Sequence, residues 1–309
     1  MIFDTHAHYD SRQFDEDRVE VLSRIHRSDG FQYGGVPVGR IVNVGADMES
    51  SQTTLELAEK YDYIYAAVGV HPDSAGELVW CPAGASIDGE ERKVIPKETV
   101  LENREVLKNL AKTERTVAIG EIGLDYHWDI WPREIQKEAF RWQWGLAEEL
   151  GLSVIIHSRD AAEDTLNLVR EFYGISVSAR TIGMDSIEED IRRNQDKRRV
   201  QAVMHCYSYS PEHAAEYLKM GLMFGIGGVV TFKNAKKLKE VVDLLPLDRI
   251  LLETDCPYMA PDPFRGKRND SGFLTYVAEK IAEIKGVDAR TVYDITWENA
   301  ERFFGLRQD

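Results

Sequence analysis

His6 and His8, in MIFDTHAHYD, stand one residue apart near the start of a 309-residue chain, on a run that reads as a β-strand. Successive side chains on a strand alternate between faces, so the i, i+2 spacing predicts both imidazoles on one side as adjacent metal donors. Four more metal-capable residues close other strand-like runs: Glu121 in VAIGEIG, His157 in LSVIIHS, His205 in AVMHCYS and Asp255 in RILLETD. Four imidazoles and two carboxylates exceed the ligand set of one tetrahedral ion. A two-metal site is the economical reading, with Glu121 bridging ions roughly 3.5–4 Å apart. Imidazole ligands suit zinc, manganese, iron or cobalt by softness, and the ion's identity stays open, magnesium included. Such a site supports hydrolysis, with Asp255 as the group that accepts a proton and orients the attacking water.

These residues meet only if the fold gathers strand ends. Eight β-rich runs alternate with amphipathic segments at about 15–28, 50–60, 99–113, 133–150, 160–173, 211–220, 235–244 and 271–285, and a helical tail follows over 288–304. Eightfold alternation with Val/Ile/Leu-rich strands predicts a single α/β domain over 1–309, a parallel (β/α)8 TIM barrel whose C-terminal mouth carries the site. Two stretches, 78–97 and 175–200, are too long for ordinary connections and read as excursions. The first leaves the mouth; the second is charged and reads as solvated surface or subunit contact. GEIGLD and GIGGVV lack the spacing of phosphate-binding glycine loops.

Other polar residues at the expected mouth are candidates for substrate contact. His71 ends the third strand in VGVHPD, and Arg159 follows His157 in HSRDA. Arg265, Lys267 and Arg268 lie together in FRGKRND after the last strand, where barrels commonly hold phosphate and where arginine recognises it in bidentate fashion. Asp125 and Tyr126, just beyond Glu121, could support a ligand or shape the substrate pocket. His127 is a weaker candidate, and His26 and His213 fall in helices and take no role. Cys206 and Cys256 each follow a candidate ligand directly, so alternation turns them away into packing.

The net charge of −15 repels polyanions at long range and opposes a protein that coats nucleic acid, although it does not exclude a phosphate in a cation-lined cleft. No run approaches the ~20 apolar residues needed to cross a bilayer. The N-terminus lacks the basic start and apolar run of an export signal, so a cytoplasmic location is the expectation. Three cysteines without paired spacing indicate neither a disulfide framework nor a CxxC zinc site.

FDTHAHYD, VGVHPD, IGEIGLDYH, VIIHSRDA, MHCYS, ETDCPYMAP and FRGKRND, in this order from residue 3 to about 270, resemble the successive landmarks of the TatD-like metal-dependent hydrolases, the TatD deoxyribonuclease family of amidohydrolase-type barrels. The resemblance implies that His6, His8, Glu121, His157, His205 and Asp255 bind divalent ions. It also implies phosphodiester hydrolysis acting on DNA ends or short oligonucleotides. The chain departs from the family pattern at Asp270-Ser271, where Glu-Pro usually follows Arg-Asn. It also has no lysine in VAIGEIGLD, so Glu121 must take the bridging position that a carboxylated lysine holds in many amidohydrolases. Hydrolysis of an amide or lactone bond, and a non-catalytic metal-containing scaffold, are the rival readings.

Overall fold

A computed structural model describes residues 1–27, 36–82, 86–87, 90–91, 94–175 and 200–306. Its main sheet has eight strands: β1 (Ile2–Ala7), β2 (Val38–Val44), β3 (Ile64–Val68), β4 (Thr116–Asp125), β5 (Ser153–Arg159), β6 (Ala202–Met204), β7 (Met223–Ile226) and β8 (Ile250–Leu252). Each pairs in parallel with the next in chain order. β8 returns beside β1 through a bridge between Ala7 and Cys256 and a hydrogen bond from Asp255 N–H to His6 C=O of 2.9 Å. The expected (β/α)8 barrel is the observed fold.

Helices α1 (Arg18–His26), α2 (Met48–Lys60), α3 (Lys97–Ala111), α4 (Arg133–Leu150), α5 (Ala162–Phe172), α6 (Pro211–Lys219), α7 (Lys236–Leu244), α8 (Leu274–Lys285) and α9 (Ala289–Phe303) fill the connections and the tail. Local chemistry sets their ends. Asp47 and Ser50 form a reciprocal capping box at α2, and Gly151, with φ of 69°, terminates α4 in the left-handed region. α4 buries Phe140, Gln143, Trp144 and Ala147 at helical spacing against the strands.

Three apolar clusters result. The largest lies between strands and helices, and the smallest packs Ala75, Val79 and Cys81 with Trp131 and Ala139. The remaining one takes Phe3, Val42, Val44, Ala67, Val117, Ala118, Ile155, Val203, Met223 and Leu251, with every strand represented, together with Ala300, Phe303 and Phe304. It is the filled barrel interior, stoppered by the end of α9. Charged side chains and histidines gather towards the C-terminal mouth, while at the opposite end Ser153 donates to the Phe303 carbonyl of the stopper.

A short antiparallel hairpin, 86–87 with 90–91, stands within the first excursion, on a connection that leaves the mouth. The second excursion, apart from Ile175 and Val200, lies outside the described residues. No helix among the described residues is long and apolar enough to cross a membrane.

Candidate metal centre

Alternation aims one of the candidate ligands directly. Ile155 faces the barrel interior, so His157, two positions on in β5, emerges into the mouth, while His205 directly follows the end of β6 and Asp255 lies three residues beyond β8 at φ of 54°, its N–H bonded to the His6 carbonyl. β1 and β4 need a further device. β1 spends three residues from Asp4 to Ala7 where β2 spends two from Ile41 to Asn43, and β4 does the same from Ile119 to Ile122 against Val154 to Ile156 on β5. Such bulges re-aim side chains beside functional sites. They lie at His6 and at Glu121. Glu121 is consequently a mid-strand residue, not the last of its strand, and β4 runs on to Asp125. Beside it, a Cβ on Gly123 would sit 1.9 Å from the His157 carbonyl oxygen, so only glycine permits this approach of β4 to β5.

The six side chains converge. His6 Nε2 lies 3.1 Å from His8 Nε2 and 3.5 Å from Glu121 Oε2. Glu121 Oε1 is 2.6 Å from His157 Nδ1 and 3.7 Å from His205 Nε2. Asp255 Oδ1 is 3.4 Å from His8 Nε2 and 4.0 Å from His205 Nε2. Two donor groups emerge around shared members, His6–Glu121–His205 and His6–His8–Asp255.

Three imidazoles have their outward nitrogen committed to a protein acceptor, which orients the other nitrogen into the centre. His8 Nδ1 donates to the Val44 carbonyl at 2.8 Å, His157 Nε2 to Asp125 Oδ2 at 3.1 Å, and His205 Nδ1 to Glu253 Oε2 at 3.1 Å. His6 Nδ1 is buried without a partner.

Charge follows this geometry. Burial pushes the imidazolium forms of His8, His157 and His205 down, but neighbouring carboxylates outweigh it and hold all three up at about 9: chiefly Asp255 for His8, Glu121 for His157 and Glu253 for His205. Burial disfavours charge on Glu121 too, yet the imidazoles of His205 and His157 draw its carboxyl well below the usual range. His71 goes the other way. Burial and the nearby His157 push it down to about 3, so it is neutral. Its Nδ1 accepts the Asp73 N–H at 3.2 Å, which leaves the proton on Nε2 as a donor, and its ring stands 4.2 Å from that of His157.

Sequence reasoning missed two supports. Glu253, 1% exposed, accepts from His205 and from Cys206 N–H. Its signal was its place two residues before Asp255, directly after the apolar run of β8. Asp4, fully buried, accepts from His6 N–H, Thr254 N–H, Thr254 Oγ1 and Ser271 Oγ, and so staples β1 to the segment carrying Asp255. Ser271 belongs to the departure from the family pattern, and its neighbour Asp270 pairs with Arg24 at 2.9 Å. Both replacements therefore brace β1 and α1.

The basic residues do not join the cluster. Arg268 forms a two-pronged pair with Asp17 and stacks on Phe14. Arg265 lies over Phe232, Lys267 over Phe264 and Arg159 beside Trp128. All four are exposed on the rim of the mouth. Cys256 is buried as expected. Cys206 is half-buried with φ of 43°, so alternation fails there and its thiol falls into a group with His205 and Glu253.

Comparison with known proteins shows the family. Residues 3–305 match the family model described as TatD related DNase. The uncharacterized metal-dependent hydrolase YabD of Bacillus subtilis is 42% identical over 306 residues, covering 99% of this chain and 100% of that protein. A protein of Rahnella named 3'-5' ssDNA/RNA exonuclease TatD is 29% identical, covering 99% and 98%. The crystal structure of YJJV, a TatD homolog from Escherichia coli, superposes with a TM-score of 0.74 at 26% identity, covering 99% and 98%. With a family model spanning the barrel and histidines and carboxylates gathered at its mouth, the chain belongs to the TatD related DNase family and is a metal-dependent hydrolase of that kind.

Proposed function

We propose that the chain hydrolyses phosphodiester bonds at the ends of nucleic-acid strands, using two divalent ions held by His6, His8, Glu121, His157, His205 and Asp255. The observation that carries the reading is the split of Glu121: one carboxylate oxygen faces His6 and the other faces His157 and His205. That is the disposition of a bridging ligand. The 3.1 Å approach of His6 Nε2 to His8 Nε2 and the oriented nitrogens of the other three imidazoles fit a cation better than a proton network. Ions bound there lower the pKa of water and offset charge on the phosphate.

The chain's own groups do the rest. Asp255, within 3.4 Å of His8, takes the proton from the attacking water and holds its oxygen in line. Neutral His71, with its Nε2 proton fixed, donates to a phosphate oxygen. Arg159, Arg265 and Lys267, with Arg268 behind them, steady the flanking phosphates from the rim. Rim cations on a chain of net charge −15 suit a strand end or short oligonucleotide entering the mouth, in a cytosolic setting. The Rahnella relative's exonuclease name supports the same substrate class.

The test is cleavage of single-stranded DNA, duplex DNA and RNA with added zinc, manganese or magnesium, the products resolved on a gel. Stepwise shortening from one end, abolished in a His6→Ala/His8→Ala variant that still folds, is the expected result. Turnover of amide or lactone substrates, with every strand left intact, would replace this reading with the amidohydrolase one.

A further inference from the structure

The barrel leaves few aromatic rings in solvent. Among the described residues the exposed ones are Trp80 at 43%, Trp128 at 59% and Tyr258 at 52%. All three lie on connections that leave C-terminal strand ends, after β3, β4 and β8, and so surround the mouth. Single exposed apolar residues are ordinary on a protein surface; confinement of the exposed aromatics among the described residues to one rim is not.

Trp128 is the most exposed of these, and the turn that bears it is anchored by hydrogen bonds on both sides. Asp125 Oδ1 accepts from the N–H groups of His127 and Trp128 at 2.8 and 3.0 Å, while its Oδ2 accepts from His157. Tyr126 N–H donates to the Arg159 carbonyl, and its hydroxyl donates to Asp164 at 2.7 Å. His127 pairs with Asp160 at 3.1 Å. A single carboxylate thus links the turn bearing Trp128 to a residue of the metal centre. The ring itself has the Arg159 guanidinium 5.7 Å from its centroid and stands perpendicular to the His127 ring, with centroids 5.1 Å apart. A rigid turn presenting an uncovered indole beside a cation is a platform for a flat, electron-rich group attached to an anion.

We infer that Trp128 is a positioning residue that stacks an unpaired nucleobase next to the scissile phosphate, while Arg159 meets the adjoining phosphate. The inference rests on the proposed function and names the part of the substrate that holds register. A net charge of −15 weakens the long-range attraction for phosphate that supplies most non-specific binding elsewhere. Stacking supplies attraction that does not depend on charge, and it accepts any base because every base has a π-face. A base inside a duplex has both faces covered by its stacked neighbours, so the platform also favours frayed or single-stranded ends.

The experiment compares wild type, Trp128→Ala and Trp128→Phe on a single-stranded oligodeoxynucleotide with manganese. The same strand is also tested with an abasic tetrahydrofuran unit on either side of the cleaved bond. In wild type one abasic position raises KM about tenfold, the scale of one lost base–aromatic stack. Trp128→Ala raises KM on the intact strand by a similar factor and shows no further rise on that abasic strand. Trp128→Phe recovers most of the loss. An unchanged KM in Trp128→Ala, or a full abasic penalty persisting in it, overturns the inference. Quenching of tryptophan fluorescence by the same strand separates the two readings. Quenching that disappears in Trp128→Phe, in a protein that cleaves no strand, upholds the platform and removes the nuclease reading. A protein that neither binds nor cleaves removes both.

Discussion

Replacing Glu253 by glutamine changes one atom at the back of the metal centre and leaves its volume unchanged. In the native arrangement Oε2 accepts from His205 Nδ1 at 3.1 Å and Oε1 accepts from Cys206 N–H at 2.6 Å, both out of solvent. A glutamine offers one acceptor and one amino group. Whichever way it turns, that amino group faces an existing donor, and a buried donor without an acceptor costs about 1–3 kcal/mol. If the amino group faces His205, the imidazole moves its proton to Nε2, the nitrogen aimed at Glu121 and Asp255, and ceases to be a ligand. Losing the carboxylate behind a metal-binding histidine lowers affinity about 10–100-fold, or ~1.4–2.8 kcal/mol at ~1.4 kcal/mol per tenfold. The two estimates overlap, so Glu253→Gln is predicted to raise the dissociation constant of one ion by about 30-fold. Competition against a chromophoric chelator measures that constant directly, and hydrolysis should return at saturating metal. Wild-type affinity and metal dependence in Glu253→Gln would refute the orienting role of this carboxylate.

Stability of the metal-free protein should depend on pH with a definite sign. His8, His157 and His205 are held at about 9 against an ordinary 6.5, so the folded state binds their protons more tightly than the unfolded chain does. The stabilisation is complete below about 6.5 and is lost as pH rises through 9. Thermal melts of metal-free protein should fall between pH 6.5 and 9.5, and bound metal, which replaces those protons, should flatten the fall; a rising profile would contradict it. Gly225→Ala should weaken metal binding without touching a ligand, because the new Cβ would sit 2.0 Å from Glu253 Oε2; chelator competition checks it, with overpacking of about 1–3 kcal/mol read by denaturant melts. Arg265→Ala and Lys267→Ala should raise KM for oligonucleotides with little change in stability. Arg268→Ala, which breaks an exposed pair with Asp17, should additionally cost about 1 kcal/mol or less in denaturant melts.

The barrel was legible because its signal is periodic: eight strand-like runs and their helices can be counted, and α4 has the bounds expected for it, 133–150. The HxH pair was legible for the same reason. Periodicity misplaced Glu121, since a bulge between Ile119 and Ile122 extends β4 beyond it. It also misdirected Cys206, where the chain turns at positive φ immediately after β6 ends at Met204. Glu253 passed unnoticed because its partner, His205, lies 48 positions away on another strand. The attachment of Arg268 to Asp17 spans 251 positions between two loops, and no local pattern encodes such a meeting. Strand positions follow from alternation; loop partners follow from the folded surface.

The number and placement of bound ions test the central claim most directly. Anomalous diffraction from crystals of the manganese- or zinc-loaded protein should show two ions per chain on either side of the Glu121 carboxylate, one near His6, His8 and Asp255 and the other near His157 and His205. A single ion, or ions bound away from Glu121, would contradict the two-metal centre.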